Sequence, residues 1–201
     1  MSLELGSSLR NIVGVDDGYF PPNYKDLRLH TVLVAVLCEG AVPKDLRIGR
    51  VRVDYDDVNS KVIELVSDLG STDLVILDGV TYAGFNVVDP DVVSNELGIP
   101  VITFFHYELN LRRIEYALNK HFPDGNRRLK VIKKVYLSSV DVPTPWRRVR
   151  IYVVGMPLNE AVRTLKKLQT VSPIPEPLRI ADIVASGISR KSGLLELMNK
   201  H

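Results

Sequence analysis

The chain has 201 residues, 45% of them hydrophobic and 25% charged, the proportions of one soluble domain with a sizeable core. A net charge of +2 is too small to imply a polyanion partner by itself, and local clustering would have to make that case. One cysteine, Cys38, excludes an internal disulfide framework and suits a reducing cytosol; no apolar run approaches the roughly 20 residues that span a bilayer, and Met1–Arg10 has neither an apolar signal core nor a basic leader. A single cytoplasmic domain over residues 1–201, with no membrane partner, is the expectation.

Taken in chain order, Asn11 to Phe20 opens with an apolar run that reads as a strand and ends in Asp16-Asp17-Gly18, where a turn begins. Neighbouring side chains of a strand point to opposite faces, so only one of Asp16 and Asp17 is expected to face a given cleft. A carboxylate there needs water, a donor or a metal; the plainer reading is a solvated Asp16 and a turn-forming Asp17. His30 to Leu37 is a second strand closed by Glu39-Gly40, and Ile48 to Tyr55 alternates like a half-exposed third. Their short links predict an antiparallel meander. Asp56 or Asp57 then caps a helix whose apolar stripe is Val58, Val62, Leu65, Val66 and Leu69, ended by Gly70.

Leu74 to Leu77 is continuously apolar, a strand buried on both faces that runs into Asp78-Gly79. After the Ala83-Gly84-Phe85-Asn86 loop, Asp89-Pro90 starts a helix that Gly98 ends. Pro100 to Phe105 is a fifth strand with His106 at its end. Helices follow at about Asn110–Lys120 and Arg127–Tyr136, then extended segments at Ser138–Asp141 and Trp146–Val154, then helices at Leu158–Leu168 and Leu178–Ser189.

Three meandering strands, then alternating helix and strand, is the order of a ribonuclease-H-like α/β fold, a mixed sheet with helices on both faces. A doubly wound sheet would begin with alternating β and α units. In the mixed sheet strands one and four are neighbours, which brings Asp16 and Asp78 to one end of it and suits magnesium, an ion that takes oxygen ligands.

Three stretches together resemble the endonuclease V family. They are Gly14-Val15-Asp16 with Tyr19, Leu77-Asp78-Gly79 followed later by Pro100-Val101-Ile102, and Pro175-Glu176-Pro177-Leu178-Arg179-Ile180-Ala181-Asp182. Val13 to Gly18 and Asp78 to Asn86 look still more like a mainly archaeal relative of that family, domain of unknown function 99. The resemblance implies metal-dependent cleavage of a phosphodiester near a deaminated purine in DNA or RNA. It matches Asp16 and Asp78 to two carboxylates that hold Mg²⁺ or Mn²⁺, with Asp17, Asp54 or Asp57 completing the shell. The family has a glutamate at the end of strand three, whereas this chain has Asp54-Tyr55-Asp56-Asp57, one methylene shorter. His106 stands where the family has a lysine, and is either a phosphate donor and proton carrier or a ring packed at a strand end. The family's catalytic histidine falls at Met156, and its Pro-Tyr-Ile-Pro wedge is replaced by Lys44 to Gly49. Two hypotheses follow. Either the chain is a metal-dependent nuclease with an altered site, or it is a nucleic-acid- or metal-binding protein that kept the cleft without the activity.

Arg127, Arg128, Lys130, Lys133 and Lys134, and Arg147, Arg148 and Arg150 beside Trp146, either track a phosphate backbone or form solvated faces around a core tryptophan. Arg112 and Arg113 beside His106 carry the same two readings. Asp182 can pair with Arg179 one turn away. The P-loop, dinucleotide-binding, zinc and nucleophile-elbow signatures are absent from the sequence.

Overall fold

A computed structural model describes residues 9–200; the expectation about a leader in Met1–Arg10 therefore lies mostly outside the described residues. The meander is β1 (Asn11–Asp17), β2 (His30–Glu39) and β3 (Val42–Arg52), with a short helix α1 (Asn23–Leu27) between the first two strands. Then come α2 (Val58–Ser67), β4 (Leu74–Asp78), a small hairpin of β5 (Thr81–Tyr82) and β6 (Asn86–Val87), α3 (Pro90–Leu97) and β7 (Val101–Phe105). The last part is α4 (Leu111–His121), α5 (Gly125–Leu137), β8 (Val140–Pro143), β9 (Arg148–Val154), α6 (Leu158–Leu168), α7 (Glu176–Ser189) and α8 (Ser192–Met198).

Seven strands form one sheet in the order β3-β2-β1-β4-β7-β9-β8. β1 pairs antiparallel with β2 but parallel with β4, which pairs parallel with β7; β9 and β8 are antiparallel additions. The ribonuclease-H-like order is therefore present. Alternation sorts the core into two sides. Ile12, Leu74, Ile76, Ile102 and Phe104 pack with Ala161 and Leu165 of α6 and Leu178 of α7. On the other side Val13, Val15, Val75, Leu77 and Val101 meet Val58, Val62 and Val66 of α2 and Val93 of α3, and Phe105 packs with Ile132 and Val135 of α5. Helices cover both faces, as expected. No described helix is long and apolar enough to cross a membrane.

The helix signals in the sequence act as they should at α3. The Asp89 carboxylate accepts from the Asp91 N–H, Pro90 takes the first helical position, and Gly98 ends the helix at φ +68. At α2 the capping expectation fails in its detail. Asp57 occupies the N-cap position, but its carboxylate makes no capping hydrogen bond and accepts instead from the Arg52 N–H and Asn86 Nδ2.

Candidate functional site

The central strands β1 and β4 are apolar through their middles and turn acidic only at their last residues. β1, β4 and β7 run parallel, so their C-terminal ends open on one edge of the sheet, the usual place for a ligand site in such sheets. β1 ends in Asp16-Asp17, β4 ends in Asp78, and His106 follows β7. The register pairs Val15 with Leu77, so Asp16 and Asp78 occupy the next positions of adjacent strands. Counting by twos from Ile12 and Ile76, both point to the face covered by α6 and α7.

Glycine makes that covering close. A Cβ at Gly14 would lie 2.3 Å from the Pro177 carbonyl carbon, and one at Gly18 would lie 2.6 Å from Ser189 Oγ. Helix α7 therefore rests on the backbone of β1 and carries Asp182 to the mouth of the cleft. The cleft, about 380 Å³, is walled by Asp16, Asp17, Asp78, Asp182 and His106, with Tyr107, Ile174 and Leu178 among the remaining walls. Alternation along β1 predicts that only one of Asp16 and Asp17 reaches a cleft. Both do, because the cavity lies beyond the strand end and is not confined to one face.

The side chains are held individually. Asp16 is buried and its Oδ1 accepts from the Asp17 N–H at 2.8 Å. Asp17 Oδ2 accepts from the Ala83 N–H at 2.8 Å. Asp78 Oδ1 lies 2.8 Å from His106 Nε2, and the His106 ring stands edge-on to Phe104 at 5.1 Å. The fully buried Tyr82 hydroxyl accepts from the Asp78 N–H at 2.8 Å and donates to the Val15 carbonyl at 3.1 Å, tying the ends of β1 and β4 together. Burial, then the charges of Asp78 and Asp17, push the Asp16 carboxyl up to about 10. Burial pushes Asp17 up to about 7 against the pull of the Ala83 N–H, with Asp78 adding to the rise.

This is a set of oxygen donors crowded enough to disfavour one another's charged forms, with one imidazole beside Asp78. Its chemistry fits a hard divalent cation, which prefers carboxylates and water. Among the described residues no three or more His, Cys, Asp or Glu side chains already converge as a ligand cage. The cleft therefore supplies the donors, and the carboxylates would have to close on an ion.

The strand-three acids are placed elsewhere. Asp57 accepts from Asn86 Nδ2 at 2.6 Å and sits 3.4 Å from the Arg52 N–H. Asp54, at φ +55, accepts from the Phe85 N–H at 2.7 Å. Both hold the β5–β6 hairpin against the end of β3, and neither walls the cleft. The acid to which the sequence reading gave only a local role, as a partner of Arg179, is Asp182. Arg179 does not pair with it but with Glu176, while Asp182 accepts from Ser186 Oγ at 3.0 Å. A sequence signal existed, since Asp182 lies two turns into the helix that opens at Pro175-Glu176-Pro177.

Several basic residues are committed to structure. Arg128 is buried, paired with Asp124, donating to the Tyr55 and Phe85 carbonyls and stacked over Phe122. Arg127 pairs with Asp56 and Asp124, Lys133 with Glu115, and Lys134 with Asp91. Four of the five basic residues of the α5 cluster are thus committed to partners within the fold, and Lys130 is exposed. Arg112 and Arg113 are exposed and do not wall the cleft. Trp146 is half exposed rather than a core residue, with its Nε1–H donating to the Gln169 carbonyl at 3.2 Å. Met156 packs against the apolar cluster under α6, outside the cleft. In place of a wedge, Lys44 to Gly49 forms part of the regular edge strand β3.

The sequence model of the family described as endonuclease dU matches residues 8–189. A "UPF0215 protein" of Thermococcus gammatolerans is 34% identical over 180 residues, covering 88% of this chain and 91% of the relative. A protein of unknown function from Archaeoglobus fulgidus superposes with TM-score 0.75 at 22% identity, over 89% of this chain and 98% of that one. Ciona intestinalis endonuclease V, solved with a DNA containing an inosine followed by a ribo-adenosine, superposes with TM-score 0.59 at 14% identity, over 93% and 87%. These last two likenesses concern the fold.

Proposed function

Because the chain belongs to the endonuclease dU family, an endonuclease V-like family with archaeal members, we propose that it is a divalent-metal-dependent endonuclease acting on a strand that carries a deaminated base, deoxyuridine by the family's name. The observation that carries this reading is the register that sets Asp16 beside Asp78, with Asp182 and His106 walling the same cleft. Asp16 and Asp78 would hold Mg²⁺ or Mn²⁺, with Asp17 or Asp182 in support. When bound, such an ion acidifies a water and neutralises charge on the scissile phosphate.

The chain's own residues supply the rest. His106 Nε2 lies 2.8 Å from Asp78 Oδ1, a contact that fixes the rotamer of that carboxylate. The Ala83 N–H holds Asp17 toward the hairpin, and Tyr82 fixes the β4 end to the β1 end, so the two main acids keep one spacing. His106 is also an imidazole in the cleft of a chain whose family-position histidine is Met156, and we assign it, not Met156, the proton-handling role at the leaving oxygen. The setting is the reducing cytosol, in keeping with the single buried thiol of Cys38.

The test is cleavage of end-labelled deoxyuridine- and inosine-containing DNA and RNA with Mn²⁺, against Asp16→Ala. No cleavage above that control removes the nuclease reading. Melting with and without Mn²⁺ addresses the ion separately. At 100-fold excess over its Kd an ion stabilises the fold by about 2.7 kcal/mol, and Asp78→Asn should lose that gain. The absence of histidine at Met156 favours a second reading, a non-catalytic binding protein. Its signature is a Mn²⁺-dependent melting gain without strand cleavage.

A further inference from the structure

Beside the carboxylate cleft lies a second hollow of about 280 Å³, and the two share the wall formed by Phe105, His106 and Tyr107. Its opposite side is the start of β9. Arg150 there is tied to both oxygens of Asp141. Arg147 and Arg148 differ. Both are exposed, and neither forms an ion pair with a described side chain. Arg147 donates to the His106 carbonyl at 3.4 Å and Arg148 to the Asp141 carbonyl at 3.0 Å, so backbone contacts hold both guanidiniums at the hollow; Arg148 also feels the Asp141 charge and Glu108 lines the same hollow, so three arginines face two acids there. Tyr107, on the shared wall, is 82% exposed, an aromatic ring left in water 6.1 Å from the His106 ring.

The chemistry of these groups is that of a nucleic-acid strand. A guanidinium fork matches two phosphate oxygens, and an exposed ring stacks an unpaired base whatever its identity. An acidic cleft repels a phosphodiester, and cations immediately beside it offset that repulsion for the strand as a whole. We propose that this hollow is the binding site for a phosphodiester flanking the one at the cleft, gripped by Arg147 and Arg148, with Tyr107 stacking an adjacent base of single-stranded nucleic acid. The inference rests on the proposed function, that the cleft receives a strand, and adds where that strand runs.

Equilibrium binding of a fluorescein-labelled, deoxyuridine-containing single strand, followed by anisotropy against NaCl in EDTA and again in Ca²⁺, tests it. For single strands each phosphate contact contributes about 0.7 to the slope of log K against log salt, so Arg147→Ala and Arg148→Ala should each lower the slope by about that amount. Tyr107→Ala should weaken binding roughly 5- to 160-fold at unchanged slope, and Tyr107→Phe should restore it. All are exposed positions, and unchanged thermal melting confirms that the variants fold. Wild-type binding with unchanged slopes in both arginine variants overturns this site alone. A wild type that binds no strand in either buffer overturns the site together with the proposed function.

Discussion

Replacing Gly14 with alanine adds one methyl group where strand β1 touches helix α7. The new Cβ would stand 2.3 Å from the Pro177 carbonyl carbon and 2.5 Å from both the Leu178 nitrogen and the Pro177 oxygen. Carbon contacts are comfortable at about 3.5 Å, so the helix must retreat by roughly 1 Å. The obstructing atoms are main chain and cannot rotate aside. Leu178, Ala181 and Ala185, all buried under α7, lose contact in the process. Overpacking of this kind costs about 1–3 kcal/mol, and a backbone obstacle puts Gly14→Ala near the upper figure. For a chain of this size that lowers the Tm by about 6–12 °C. Gly187→Ala is the control: it lies in the same helix with nothing within 4 Å of its added Cβ. It should raise stability by about 1 kcal/mol, since alanine is the better helix former. Thermal melting by circular dichroism reads both. Since α7 also carries Asp182, the Mn²⁺-dependent gain in Tm should shrink in Gly14→Ala alone. If the two variants shift alike, the close approach of α7 to β1 is not what seats this helix, and the reasoning fails.

Without added metal, folded Asp16 and Asp17 keep protons that the unfolded chain releases above about pH 4. Their stabilisation is complete below that pH and is lost as pH rises, through about 7 for Asp17 and on toward about 10 for Asp16. Urea midpoints should therefore fall with pH over this window, Asp16→Asn should flatten the fall, and a rising midpoint would contradict it. Asp57→Ala leaves the fully buried Asn86 amide short of an acceptor and should cost about 1–3 kcal/mol while sparing the Mn²⁺ gain. Loss of that gain would return Asp57 to the metal shell. Tyr82→Phe strips the Asp78 N–H of its acceptor and should cost about 1–3 kcal/mol in urea melts. It should also slow cleavage, and equal rates in variant and wild type would show that this tie does not set the spacing of Asp16 and Asp78.

What the sequence made legible follows from local physics. Leu74 to Leu77 is apolar on both sides because β4 is central, and the two-residue link between β2 and β3 leaves little but a hairpin, so the neighbourhood of Asp16 and Asp78 could be foreseen although the link after β1 carries α1. β3 was expected at Ile48 but begins at Val42, since Pro43, Lys44 and Asp45 lie on an exposed edge where alternation carries no core signal. The two-residue strands β5 and β6 and the short helices α1 and α8 are too brief for periodicity to register. Arg128 looks like its neighbours in the chain, and only its packing against two carbonyls separates a buried pin from a solvated cation. Asp57 and Asp182 show the same limit from the other side. Spacing alone does not distinguish an acid aimed at a cleft from one that clamps a hairpin.

The clamp joins two remote parts of the molecule. Asp54 takes the Phe85 N–H and gives its own N–H to the Ala83 carbonyl, while the Ala83 N–H holds Asp17 in the cleft. The outer lobe around Tyr55 and Phe122 is thus three hydrogen bonds from a carboxylate at the cleft. A substitution there need not touch the cleft to retune it. Displacing Gly84, whose φ of +87 and contact with Asp54 leave no room for a side chain, would turn Asp17 like the far end of a lever.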